Sequence, residues 1–278
     1  MKTYDEFVRV VKALEPYLDQ LVFVGAWCHR LLQFHPLATT PSFAALMTED
    51  ADVATPERLH PRSTSLGAAL TAGGFQARLS GDGQIPLTRY FPDGDEHALY
   101  VEFIAPLRGS GYTRSGEPDD ILSVAGVTAQ KLRYVELLLF EPWMLPLSAA
   151  TGFDVEAEIS IQVANPASYL AQKILSLPQR AGRKRPKDTL YIHDTLAMFG
   201  DELDALRGQA ARVLQLLPLK TQRELQELRV TLFENKELVV RAAAMAMATG
   251  RENPPSADMI SVVCTAGLAQ VFKPQPQP

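Results

Sequence analysis

The chain has 278 residues, 46% hydrophobic and 21% charged, a composition that suits a folded globular protein and excludes wholesale disorder or a long coiled coil. Acidic residues outnumber basic ones 32 to 27, for a formal net charge of −5. That balance excludes a surface coated for non-specific nucleic-acid binding but allows a local basic patch. The apolar runs are short and broken by charge or proline, far below the roughly 20 residues of a bilayer-spanning helix. The opening Met1–Phe7 carries acids where a secretory signal would be apolar, so no membrane segment and a cytoplasmic location are expected. Cys28 and Cys264 are too far apart for a zinc knuckle and too few for a disulfide framework, and both are read as reduced and buried.

In chain order, Phe7, Val10, Val11, Leu14 and Leu18 recur with helical period and predict an amphipathic helix over 4–20. A β-type run, Leu21 to Val24, ends in Gly25, after which 26–34 reads as helix and 35–47, broken by Pro36 and Pro41, as a long loop. Thr48-Glu49-Asp50-Ala51-Asp52-Val53-Ala54 predicts a strand with acids on one face. A weak helix at 66–72 precedes strands at 75–79, 87–91 and 98–104, separated by turns at Gly81-Asp82-Gly83 and Pro92-Asp93-Gly94-Asp95. Beyond a polar loop at 108–120 come the stretch 121–127, an apolar stretch at 134–140, and alternation at 155–163 that again suggests strand. Past Asn165-Pro166 the character changes, with helices predicted over 167–177, 189–199, 202–217, 221–233 and 237–248. The stretch 251–255 reads as a breaker, and the alternating proline and glutamine of 273–278 as a disordered tail. The expected domains are an α/β domain at 1–164, a helical domain at 165–272 and the tail at 273–278.

The chemistry centres on Asp50 and Asp52. Two apart on a strand, their carboxylates project to one face and can share a divalent cation or bridge two. Magnesium favours such hard oxygen ligands and keeps positions open for phosphate oxygens. Glu102, charged within the apolar run Tyr100-Val101-Glu102-Phe103-Ile104, needs a partner if buried and supplies a third acid. Gly25, between a strand and a helix, permits close backbone approach to a phosphate at a helix amino end. It equally serves a tight strand-to-helix turn. Lys173 and Arg180, two helical turns apart, share a face only if the helix continues past Pro178. Five of the eight residues from Arg180 to Lys187 are basic, which reads either as a solvated loop or as a clamp for a triphosphate or an RNA backbone. No His pair has the HExxH spacing, no serine sits in a GxSxG elbow, and Gly109-Ser110-Gly111 lacks the rest of a phosphate-binding loop.

Taken in order, Val22-Phe23-Val24-Gly25-Ala26, Asp50-Ala51-Asp52, Lys173 to Arg180 and Lys187-Asp188 resemble the nucleotidyltransferase superfamily, in particular the bacterial group that includes AbiEii-type toxins. The resemblance covers 20–190. It implies an α+β fold, with an amino-terminal mixed β-sheet flanked by helices and a carboxy-terminal helical bundle. It also implies a catalytic set of Asp50, Asp52, Lys173 and Asp188, with Asp50 and Asp52 as ligands of Mg²⁺ or Mn²⁺; Glu102 joins both sets by its place on a strand and not by a family motif. Nucleotide-binding residues would be Gly25, Ala26, Thr48, Arg180 and Lys187. The implied reaction is attack of an acceptor hydroxyl on the α-phosphate of a nucleoside triphosphate such as ATP, releasing pyrophosphate. The implied partners are an RNA or tRNA acceptor and an antitoxin protein. Transfer to a protein or a small molecule, and a catalytically silent nucleotide-binding module, are the alternative readings. Ala26 stands where the group carries Gly or Ser, so the hydroxyl of a Gly-Ser version is absent.

Overall fold

In the computed structural model, residues 2–41, 43, 45, 46, 48–80 and 87–273 are described. The backbone separates into two compact units, one comprising Met1–Leu31 and Met47–Ala164 and the other Leu32–Leu46 and Asn165–Pro278. Helices and a mixed sheet make the fold α+β.

In the first unit, α1 (Lys2–Leu14) buries Phe7, Val10, Val11 and Leu14 completely. It ends earlier than the apolar period suggests, because Pro16 lacks an N–H and the chain tightens into a 3₁₀ turn at Glu15–Tyr17. Next come β1 (Val22–Phe23), α2 (Gly25–Leu32) and β2 (Asp50–Ala54). The helix α3 (Leu66–Ala72) is capped by the Ser65 hydroxyl, which accepts from Ala68 N at 3.2 Å. Strands β3 (Phe75–Ser80), β4 (Leu87–Pro92) and β5 (Tyr100–Pro106) follow. The turn expected at Gly81-Asp82-Gly83 lies outside the described residues.

The stretch 121–127 opens a hairpin of β6 (Ile121–Val124) and β7 (Val127–Leu132), turning at Ala125 and Gly126, both at positive φ. A short α4 (Val135–Leu138) leads to β8 (Trp143–Leu147) and β9 (Ile159–Val163). The last strand starts four residues later than the alternation suggests. Pro146 sits inside β8, a strand that no sequence expectation covers. The strand pairs with β9 on one side only, and an edge tolerates the missing N–H.

Strand order is β3-β4-β5-β2-β1-β9-β8, with β7 on β5 and β6 on β7. One edge of β5 is divided: Val101 and Glu102 pair with β4, whereas Phe103 to Pro106 pair with β7. Its other edge runs parallel to β2 over its first five residues. Phe7, Phe23 and Trp27 form an aromatic core under this sheet, Phe7 and Trp27 stacking at 4.0 Å.

The second unit contains α5 (Pro166–Ser176), α6 (Lys184–Met198), α7 (Leu203–Gln215), α8 (Leu219–Glu234), α9 (Lys236–Ala248) and α10 (Ala257–Val271). Asn165 caps α5 by accepting from Ser168 N at 2.9 Å, with Pro166 in the first turn. The helix does not continue past Pro178: a 3₁₀ turn at Leu177–Gln179 follows. The basic run is only partly a loop, since α6 starts at Lys184. The α10 helix is absent from the sequence reading, yet it packs against α6, α7, α8 and α9. Its buried stripe of Ile260, Cys264, Gly267, Leu268 and Val271 is masked in the sequence, because the opposite face carries exposed Met259 and Val262 instead of charge. Of the expected tail, 274–278 lie outside the described residues. No helix among the described residues is long and apolar enough to cross a membrane.

Candidate active site

On β2, partly buried Asp50 and Asp52 alternate with fully buried Ala51 and Val53, so both carboxylates stand on the face turned away from the core. The parallel register sets Asp50 beside Tyr100 and Asp52 beside Glu102 on β5. Asp50, Asp52 and Glu102 each offer a carboxylate oxygen, and these oxygens all lie within 4.8 Å of one another. Like charges this close repel. Hard oxygen donors at such spacing are the donor set that Mg²⁺ or Mn²⁺ takes.

Two neighbours hold the acids. Thr48 donates its hydroxyl to Asp50 Oδ1. Arg89, paired across β4 and β5 with Glu102, donates Nε to Glu102 Oε1 at 2.7 Å. The Arg89 guanidinium lies 4.9 Å from the Tyr100 ring centroid. Burial pulls that guanidinium down, but Glu102, Tyr100 and Asp50 outweigh it and leave it above its ordinary value. Burial first, then the field of Asp50 and Glu102, pushes the Tyr100 phenol up to about 12. Arg89 is the residue the sequence reading missed. The signal was available: an arginine in the middle of the strand Leu87–Phe91 has to meet a charge or solvent, and Glu102 was already in need of a partner.

Gly25 opens α2 at φ +61. A β-carbon there would overlap Asp52 Oδ2 and approach Asp52 Cγ to 2.9 Å. The glycine is therefore required twice, by its left-handed backbone and by the carboxylate against its Cα. Val24 N donates to Asp52 O at 3.0 Å, and Cys28 N to Val24 O at 3.1 Å, so the amino end of α2 is tied to the acid-bearing strand. Ala26 is buried in its first turn.

In the second unit, Lys173 on α5 and Asp188 on α6 form a buried ion pair, Nζ to Oδ1 at 2.6 Å. Arg180 Nε lies 3.1 Å from Asp188 Oδ2, a charge contact without hydrogen-bond alignment. Lys173 and Arg180 thus meet at Asp188 and not along one helix face. The Lys173 ammonium sits between the rings of Tyr169 and Tyr191, at 5.4 and 5.2 Å, and Lys187 lies 5.7 Å from the Tyr191 ring.

A family model described as nucleotidyltransferase matches residues 3–215. The chain belongs to this nucleotidyltransferase family. The match takes in both acidic strands and the Lys173–Asp188 pair. Among solved structures, this nucleotidyltransferase is similar to an antigenic nucleotidyltransferase-like protein from Paracoccidioides brasiliensis, with 17% identity over 70% of this chain and 76% of that one and a TM-score of 0.35. No curated protein matches the chain.

Proposed function

We propose that this nucleotidyltransferase moves a nucleoside monophosphate from a triphosphate, such as ATP, to an acceptor hydroxyl. The observation that carries this reading is the convergence of Asp50, Asp52 and Glu102 within 4.8 Å. These three residues would hold Mg²⁺ or Mn²⁺. Bound there, the ion neutralises triphosphate charge and polarises the α-phosphate. The acceptor oxygen bonds to the α-phosphorus as pyrophosphate leaves, and the hydroxyl proton passes to a carboxylate of the acidic cluster. Gly25 and Ala26 bring backbone against phosphate at the amino end of α2, with Thr48 orienting Asp50. On the sequence motif, Lys173, Arg180 and Lys187 supply cations for phosphate, and Asp188 fixes the first two.

RNA, tRNA in particular, is the acceptor favoured by the basic run 180–187. By its likeness to AbiEii-type toxins the protein would act in the cytoplasm under an antitoxin. The deciding experiment incubates the protein with each α-labelled triphosphate, Mg²⁺ and separate RNA and protein pools, beside Asp50→Asn and Asp52→Asn variants. Label on RNA that both substitutions abolish is expected. Label on protein moves the acceptor, and undiminished labelling by the variants overturns the site.

A further inference from the structure

Behind the basic run, the second unit has a cavity of about 210 Å³ whose lining includes Arg180, Gly182, Arg185, Asn235, Glu237 and Arg241. Three arginines from three places in the sequence line it: one just before α6, one in the first turn of α6 and one on α9. Their partners account for little of their donor capacity. Arg180 uses Nε towards Asp188. Arg241 pairs with Glu237 at 3.2 Å, both side chains largely exposed, a contact of small worth in water. Arg185 has no side-chain partner among the described residues, and its Nε is shut off from solvent. Like charges gathered around one hollow repel, and an anion with several acceptor oxygens, reached by the outer guanidinium nitrogens, relieves that cost. No side chain caps the amino end of α6, so its dipole adds to the same field.

We infer that this cavity is a phosphate-binding subsite, formed by Arg185 and Arg241 with the outer nitrogens of Arg180. The arginine fork matches phosphate oxygens in pairs, and the volume admits a phosphoryl group, not a whole nucleotide. The ligand is therefore a phosphate carried on something larger: the end of a nucleotide's polyphosphate or one phosphodiester of a polynucleotide. The inference rests on the proposed reading of the basic run, in which Arg180 already serves phosphate, and deepens it by naming Arg185 and Arg241; it does not depend on the acidic site.

The test is binding without divalent metal, in EDTA, so that its result is independent of catalysis. Native protein and the Arg185→Gln/Arg241→Gln variant are titrated with inorganic tripolyphosphate and, separately, with a labelled single-stranded RNA dodecamer. A Lys220→Gln/Arg223→Gln variant removes the same charge elsewhere in the unit, and thermal melting checks that all forms are folded. The expected result is a loss of about tenfold or more in affinity for at least one probe, with the control variant close to native. A loss for tripolyphosphate alone assigns the subsite to a nucleotide's phosphates, and a loss for RNA alone to a polynucleotide backbone. Unchanged affinity for both probes, or an equal loss in the control variant, overturns the inference.

Discussion

Asp52 rests its carboxylate on the Cα of Gly25, where a β-carbon would overlap its Oδ2. One residue thus serves the backbone and the acid together. Replacing Gly25 with alanine costs strain at φ +61, about 1–2 kcal/mol, and displaces the Asp52 side chain. Gly25→Ala is expected to keep its fold with a lowered melting temperature, to bind Mn²⁺ more weakly by electron paramagnetic resonance, and to lose transfer activity by about tenfold or more. Native Mn²⁺ affinity in a folded variant would contradict the coupling.

Asp188 serves two cations, Lys173 and Arg180, and the Lys173 pair is almost wholly buried. Asp188→Asn leaves both cations without a counter-charge, whereas Lys173→Met leaves Asp188 with Arg180. The expected order of destabilisation is therefore Asp188→Asn above Lys173→Met, the former costing about 3 kcal/mol. Urea unfolding of both single variants and the double variant reads this. The double variant is expected to be more stable than the sum of the two losses allows.

The acids were legible because their period is local. Asp50 and Asp52 are two apart on a strand, and Glu102 stands out in an apolar run, so alternation placed each on a face without tertiary information. The β2–β5 register that puts Asp52 beside Glu102 is a long-range pairing, and no local pattern encodes it. Arg251 shows the same limit. Read as part of a breaker, it is fully buried and donates to both oxygens of Asp194, at 3.0 and 2.6 Å, a contact across 57 residues of sequence. The α10 helix escaped for a different reason, because apolar residues on both faces erase the contrast that reveals a helix.

Cys264, buried in the second unit, lies within the field of the Asp194 carboxylate. Burial first, then the Asp194 carboxylate, pushes its thiol well above the ordinary 9.0. The unfolded chain loses that proton as pH rises through about 9, while the folded protein keeps it. The thiol's contribution is therefore fully present below that pH and falls away above it. Cys28 is likewise buried, its Sγ donating to Ala164 O at 3.4 Å. Neither cysteine is expected to react with a disulfide reagent at pH 8 until denaturant is added, when both react, and stability by urea unfolding is expected to decline between pH 9 and 10. Rapid labelling of native protein would contradict the burial.

Arg89 donates Nε to one oxygen of Glu102, Oε1, at 2.7 Å. Its side chain is one-third exposed, at 34%, so its loss is tolerable to the fold. Without it, Glu102 gains rotamer freedom and the acidic cluster loses its nearest positive charge. The two effects separate experimentally. Loss of orientation lowers turnover, by about tenfold on the scale typical of groups that orient a metal ligand, whereas loss of the cation strengthens attraction for a divalent ion. Arg89→Gln is therefore expected to lower kcat while Mn²⁺ binds at least as tightly as in the native protein. Arg89→Lys, which restores the charge without the fixed Nε–H, is expected to return Mn²⁺ affinity to the native value but not kcat. Weakened Mn²⁺ binding in Arg89→Gln would show that holding Glu102 in place matters more to the ion than the repulsion it removes.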